Sequence, residues 1–565
     1  MKYDPQKALI VQSDFSILLE TRHTRFEEIR SRLAQFADLV KMPEHLHTYR
    51  MSSISLWNAA ASGIHAAPII EFLESNAKFG VPVHIKEEIT RFVDRYGLVR
   101  MESVGEELLL ISDDVEVIKE MVRYKSLQSY GLCQHDERTL RFSAAYRGIL
   151  KQELLKLGLP VEDVAGYHQG EALPIKLKDE DEDCTFILRD YQRSAVESFY
   201  KEGSLHGGSG VLVLPCGAGK TVVGIAAMGQ LNCATLILTT NTTSVRQWKR
   251  EILDKTDVPD HLVGEYCGEL REVRPITIAT YQILTYRRSE ADDFVHMDLF
   301  RKRDWGLIVY DEVHLLPAPV FRVTAGIQAT RRLGLTATLV REDGREADVF
   351  SLVGPKRYEM PWKELENKGW IASVSCTEIR IPLDEANRHR YTLAEPKQKM
   401  RIAAENPAKL GVIQRLLGKH PHEQVIIIGQ YVDQLKRIAE ELSAPLICGE
   451  VPHDERERLY TQYRSGMLQV LVVSKVANFA VDLPDAAVAI QISGSYGSRQ
   501  EEAQRLGRIL RPKPGRNEAF FYSVVSDDTK EMEFSMKRQL FLVEQGYSYR
   551  IEQDSGKSAP EEATV

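Results

Sequence analysis

From Cys184 onward the chain alternates short, unbroken apolar runs with longer segments whose apolar residues recur at helical spacing. The runs GVLVL, ATLILT, ITIAT, GLIVYDE and RLGLTAT form a first series, and QVIIIG, LQVLVVS and AVAIQIS form a second. Strands buried on both faces read as continuous apolar runs, and strands separated by helices pair in parallel. Two parallel sheets covered by helices are therefore expected. The pattern upstream differs. Residues 1–101 carry amphipathic helical text such as RFEEIRSRLAQFADLV and APIIEFLESNAKFG, whereas residues 102–173 mix strand-like ELLLIS with helical DVEVIKEMV and YRGILKQELLKLG. The expectation is an α/β chain. A mostly helical N-terminal domain (1–101) and a small α+β domain (102–173) lead through an acidic linker (174–184, with KDEDED) into two parallel-sheet lobes, 185–362 and 363–552. A disordered tail, 553–565, follows.

Bulk properties narrow the class. At 565 residues the chain is too long for one core. A hydrophobic content of 43% and a charged content of 27% are ordinary for a soluble globular protein. No stretch reads as a membrane span, and MKYDPQKALIVQSDF does not read as a signal peptide. The seven cysteines (Cys133, Cys184, Cys216, Cys233, Cys267, Cys376, Cys448) include no C-x-x-C pair, which argues against a zinc site or disulfide framework and fits a reduced cytoplasm. With a net charge of −8, nucleic acid would be bound in a local groove and not through a global field.

Chemistry enters at VLVLPCGAGKTVVG (Val211–Gly224), where a strand breaks into glycines and resumes as a helix. Pro215, Cys216, Gly217, Ala218 and Gly219 can turn backbone N–H groups around phosphate oxygens at a helix N-terminus. Lys220 would reach the outer phosphates and Thr221 would place its hydroxyl on Mg2+. Leu214 stands where the first glycine of the G-x-x-x-x-G-K-T pattern belongs. Downstream, DWGLIVYDEVHLLP sets Asp311 and Glu312 at the end of a buried strand, where ligands of open α/β sheets bind. Asp311 would hold the metal through water, and Glu312 would take a proton from the attacking water. Gln192 of LRDYQRSAV, with Arg189 beside it, is a candidate for the adenine end of ATP. In SRQEEAQRLGRILRPK, Gln504 joins the ATP-binding set, and Arg508 and Arg511 share one helical face. An arginine from a second lobe can stabilise phosphoryl transfer; a basic face paired to Glu501 and Glu502 is the ordinary alternative.

LRDYQ, PCGAGKT, DEVH, GLTAT and QRLGRILR, in this order, resemble the motifs of superfamily 2 helicases. DEVH followed by TATLVREDGRE is similar to the XPB helicase family, with Arg341, Glu342 and Asp343 matching its R-E-D element. VSKVANFAVDLPDAAVAIQIS resembles the next motif, although Ala477 and Asn478 replace a common Gly-Asp. ALIVQSDFSILLE and HLHTYRMSSISLWNAAASG resemble the amino-terminal domain of bacterial members, so the likeness covers nearly the whole chain.

The resemblance implies two RecA-like lobes, a preceding damage-recognition-like domain, and a short thumb placed near 387–409. It implies an ATP- and Mg2+-dependent 3′-to-5′ DNA helicase or translocase acting on single-stranded or tailed duplex DNA. A role in nucleotide-excision repair, beside a nuclease or other repair protein, is also implied. His314, Thr336 and Thr338 of the DEVH and TAT motifs join the coupling candidates. Thr239, Asn241 and Thr242 after one strand, and Thr280 and Tyr281 after another, offer hydroxyl and amide groups to a sugar-phosphate chain; capping of the following helices is a compatible use. A duplex translocase that separates no strands and an RNA helicase remain open from the motor residues alone. A non-enzymatic scaffold does not fit a chain that keeps Lys220, Thr221, Asp311, Glu312, Arg508 and Arg511 together.

Overall fold

A computed structural model of the chain describes all residues except 1–2, 42–44, 106, 179–185, 216, 269, 289–293, 329, 338–345, 475–485, 495–516, 537–548 and 555–565. It divides into two compact units, one of most residues up to Met360 and one of most residues from Pro361 on.

In the first unit the strongest feature is a seven-stranded, all-parallel sheet. Its order is Val263–Tyr266, Ile276–Thr280, Thr235–Thr239, Leu307–Asp311, Arg331–Thr336, Ser209–Val213 and Lys356–Glu359. The central strands Ser209–Val213, Thr235–Thr239 and Ile276–Thr280 are buried at every position, which accounts for their unbroken apolar text. Register brings the strand ends level, with Val213 beside Thr336, Asp311 beside Leu335 and Thr239 beside Thr280. The loops that follow these strands therefore collect along one edge, the carboxyl edge of the sheet.

Residues ahead of this sheet form two smaller bodies. In the first, helices Phe26–Leu33, Ser53–Ala61, Ala66–Asn76 and Val83–Arg95 accompany a four-stranded sheet of Leu9–Val11, Ser16–Glu20, Leu46–Arg50 and Asp38–Lys41. The helices were legible as amphipathic text; the sheet was not, because its strands are three to five residues long. The second body is a five-stranded sheet packed with helices. The expected boundary at 101/102 falls inside its strand Val99–Val104, which pairs with Glu107–Ile111. The division therefore lies nearer the end of helix Val83–Arg95, since a ladder cannot be cut mid-strand. The start of the expected linker also lies on the sheet lobe: Ile175 N donates to Asn232 Oδ1, and Lys176 N to Asp257 Oδ1.

Both bodies dock on the seven-stranded lobe. Helix Arg147–Lys156 approaches so closely that a Cβ on Gly148 would lie 2.4 Å from the Ala325 carbonyl oxygen. Beside it, Arg147 and Lys151 share Asp163 at 2.7 and 2.9 Å, and Lys151 Nζ also donates to Gln328 Oε1 at 2.8 Å. Trp57, Leu155 and Phe350 form an apolar cluster between the three bodies.

The second unit holds another all-parallel seven-stranded sheet, ordered Leu446–Ile447, Val470–Ser474, Val425–Gly429, Val488–Gln491, Glu518–Ser526, Ser373–Ile381 and Tyr549–Gln553. Two helices, Glu385–Leu393 and Pro396–Ala404, interrupt its β-α rhythm where the thumb is expected. Buried Lys409 Nζ donates to Glu531 and to the Ile492 carbonyl, tying the following helix to the sheet.

Candidate nucleotide site

The carboxyl edge of the first sheet gathers most of the described candidate residues. Strand Ser209–Val213 runs into Leu214 and Pro215, and helix Lys220–Leu231 begins just beyond. Gly217 and Gly219 adopt φ of 82° and 77°, a conformation that a side chain disfavours. At Gly219 a Cβ would also sit 2.7 Å from Gln192 Nε2, so a side chain there would displace that amide. Gln192 is buried, and its Oε1 accepts from Arg189 N at 3.0 Å. Its oxygen thus braces the start of helix Asp190–Tyr200, and its Nε2 faces Gly219 of the glycine loop.

Lys220 reaches across to the acidic pair. Its Nζ lies 3.1 Å from Glu312 Oε1, with the two side chains 12% and 18% exposed. Glu312 itself has φ of 50°, a left-handed conformation uncommon for a glutamate, which turns the chain sharply after strand Leu307–Asp311. Burial alone would push the Glu312 carboxyl up, but Lys220 and His314 beside it outweigh that and hold it below its ordinary value. Asp311 is pushed the other way, up to about 6, by burial and by the neighbouring Glu312 charge. Opposite shifts on adjacent carboxyls are how one site assigns two roles.

Three residues beyond the phosphate loop and acidic pair hold Asp311. Trp248 Nε1 donates to Asp311 Oδ2 at 2.9 Å, Thr239 Oγ1 donates to the same oxygen at 3.3 Å, and Tyr281 OH donates to the Asp311 carbonyl at 2.9 Å. Thr239, Thr280 and Tyr281 are therefore not presented to a passing strand as the sequence suggested; all three are buried. Thr280 Oγ1 accepts from Ile283 N and Asn241 Oδ1 from Ser244 N, so the helix-cap use of these residues is the one observed. Thr242 is half-buried at the start of helix Thr242–Lys255. His314 and Thr336 meet directly, Nδ1 to Oγ1 at 2.7 Å, joining the DEVH turn to the end of strand Arg331–Thr336. Cys216, Thr338, Arg341, Glu342, Asp343, Gln504, Arg508 and Arg511 lie outside the described residues.

Sequence reasoning missed Trp248. It stands in a helix whose apolar positions mark it as core, and nothing in one sequence distinguishes a core indole from one whose N–H meets a carboxylate.

Sequence profiles of three families match the chain. The ERCC3/RAD25/XPB C-terminal helicase profile covers residues 365–564, a helicase conserved C-terminal domain profile covers 9–136, and a type III restriction enzyme res-subunit profile covers 185–341. A Mycobacterium tuberculosis protein named DNA 3′-5′ helicase XPB is 50% identical over 544 residues, spanning 96% of this chain and 97% of its own. The chain belongs to the XPB helicase family. The likeness reaches family members with eukaryotic roles. An Encephalitozoon cuniculi subunit named general transcription and DNA repair factor IIH helicase/translocase subunit XPB is 35% identical, over 96% of this chain and 82% of its own. The family's α/β architecture is matched at the level of fold by an ATP-dependent type ISP restriction-modification enzyme, LlaBIII, bound to DNA. The match has a TM-score of 0.51 and 13% identity, over 66% of this chain and 32% of that one. Members of this family are ATP-dependent helicases, and the glycine loop, Lys220 and the acidic pair are the parts such chemistry needs. Among the described residues no helix is long and apolar enough to cross a membrane.

Proposed function

We propose that this chain is an ATP-driven 3′-to-5′ DNA helicase that works in the cytoplasm on single-stranded or tailed duplex DNA during repair, in company with a nuclease or other repair protein. One observation carries the reading. The phosphate loop, the acidic pair and the His314–Thr336 link stand on one sheet edge in a chain whose full-length relatives bear the name DNA 3′-5′ helicase. Lys220 would leave Glu312 to meet the β and γ phosphates, and Glu312, held ionised, would accept the proton of the attacking water.

The donor set fits Mg2+. Among the described residues both donors to the Asp311 side chain fall on Oδ2, which leaves Oδ1 free of them, and Thr221 sits in the first turn of the phosphate helix. Asp311, through water, and the Thr221 hydroxyl would hold the ion. When bound, Mg2+ offsets negative charge that develops on the phosphates. Arg508 and Arg511 would supply positive charge from the second lobe, and Arg341, Glu342 and Asp343 would act at the point of strand separation.

ATPase rates with single-stranded DNA, duplex DNA and RNA, paired with strand displacement on 3′- and 5′-tailed duplexes, test the proposal. Stimulation by DNA with displacement on the 3′ tail alone supports it. Duplex stimulation without displacement would instead make it a translocase, a word the Encephalitozoon cuniculi relative's name also carries. Stimulation by RNA alone would overturn it.

A further inference from the structure

We propose that Trp248 is a positioning residue for the metal-holding carboxylate, an indole strut that fixes Asp311 Oδ2 and so presents Oδ1 to the metal's water shell. The inference rests on the reading of Asp311 as the metal-holding residue.

The geometry is specific. Trp248 lies mid-way along helix Thr242–Lys255, outside the phosphate loop and outside the acidic turn, and is 1% exposed. Its single polar atom donates to Asp311 Oδ2 at 2.9 Å. Its far ring edge abuts the phosphate helix, where a Cβ on Gly224 would lie 2.5 Å from Cη2. One rigid ring thus touches the helix that begins with Lys220 and Thr221 and the carboxylate that would share an ion with Thr221.

A buried indole N–H without an acceptor is costly, so the ring and the carboxylate hold each other in place. Thr239 Oγ1 reaches the same oxygen at 3.3 Å, a longer contact from a hydroxyl that can rotate. Two donors on one oxygen hold the plane of the carboxylate. The indole is the stiffer of the two.

Hydrogen-bond partners behind a metal-holding group typically change metal affinity about 10- to 100-fold when removed. The test uses the full-length protein with ADP and Mn2+, reading free Mn2+ by electron paramagnetic resonance, beside ADP affinity in EDTA. Trp248→Phe removes the donor while keeping an aromatic ring. Benzothienylalanine at position 248 keeps the bicyclic shape and removes only the N–H, so it decides the matter should Trp248→Phe fold poorly.

The expected result is Mn2+ affinity weakened about tenfold with metal-free ADP affinity unchanged in the isostere, and an ATPase whose half-saturating Mg2+ rises while kcat at saturating Mg2+ recovers. Asp311→Asn is run in parallel. If it weakens Mn2+ binding while the isostere binds Mn2+ like wild type, the strut is refuted and the Asp311 reading stands. If Asp311→Asn also binds Mn2+ normally, the assignment of Asp311 fails and takes this inference with it.

Discussion

Replacing Glu312 by Gln separates binding from chemistry at this site. The Glu312 carboxylate sits 3.1 Å from the Lys220 ammonium. At an effective dielectric of about 20, that separation corresponds to about 5 kcal/mol of Coulomb attraction. Desolvation of both groups offsets most of it, and with side chains 12% and 18% exposed, water screens part of the rest. A net pairing of about 1 kcal/mol is a reasonable remainder, and ATP must break it to recruit Lys220. Glu312→Gln removes that competition and also removes a negative charge facing the phosphates. ATP should therefore bind about fivefold more tightly than to wild type. Hydrolysis should move the other way, because a positioned general base contributes about 10²- to 10⁴-fold, or about 3 to 5 kcal/mol of barrier. Fluorescent-nucleotide titration gives the affinity, and single-turnover hydrolysis in a quench-flow instrument gives the chemical step. A variant whose affinity collapses together with its rate would refute the reasoning and make Glu312 a structural residue of its left-handed turn. Normal hydrolysis at intact affinity would place the base elsewhere.

Other outcomes follow from the same residues. Asp311 has a folded-state pKa raised from 3.8 to about 6, so its ionisation destabilises the fold: the penalty is complete above about pH 6, shrinks as pH falls toward 3.8 and is absent below it. Asp311→Asn should accordingly melt higher than wild type at pH 7 to 8 and lose that advantage by about pH 4, and calorimetry showing the opposite trend would contradict the assigned burial. Alanine at Arg508 or Arg511 should leave melting near wild type while removing most DNA-stimulated ATPase; a variant that hydrolyses normally but fails to bind DNA would assign these two arginines to nucleic-acid binding instead. Replacing Arg341, Glu342 and Asp343 together by alanine should leave single-strand-stimulated ATPase nearly intact while unwinding of a 3′-tailed duplex is largely lost. Equal loss of both would show that the triad couples hydrolysis to closure of the lobes.

The chain's one-dimensional pattern determined a good deal. Strands buried on both faces must be apolar throughout, so GVLVL, ATLILT, ITIAT and GLIVYDE announced a parallel sheet, and the all-parallel order found for it follows from helices lying between them. Glycines preceding a lysine at the start of a helix, and an acidic pair at a strand end, could be read from the text, and the structure brings that lysine and one of the acids within 3.1 Å of each other. The small amino-terminal sheet was not legible, since strands of three to five residues pair through contacts distant in sequence and carry too few positions to show a period. Side-chain direction was likewise beyond the text. Thr239, Thr280 and Tyr281 stand where a DNA-tracking surface was expected, yet the pairing of neighbouring strand ends points Thr239 and Tyr281 inward at Asp311 and leaves Thr280 to cap a helix. Trp248 reads as one more core residue until the helix that bears it is laid against the sheet. Residue type and spacing are local properties, which the sequence states outright. Which buried donor meets which buried acceptor depends on how separate elements pack, and only the tertiary structure decides it.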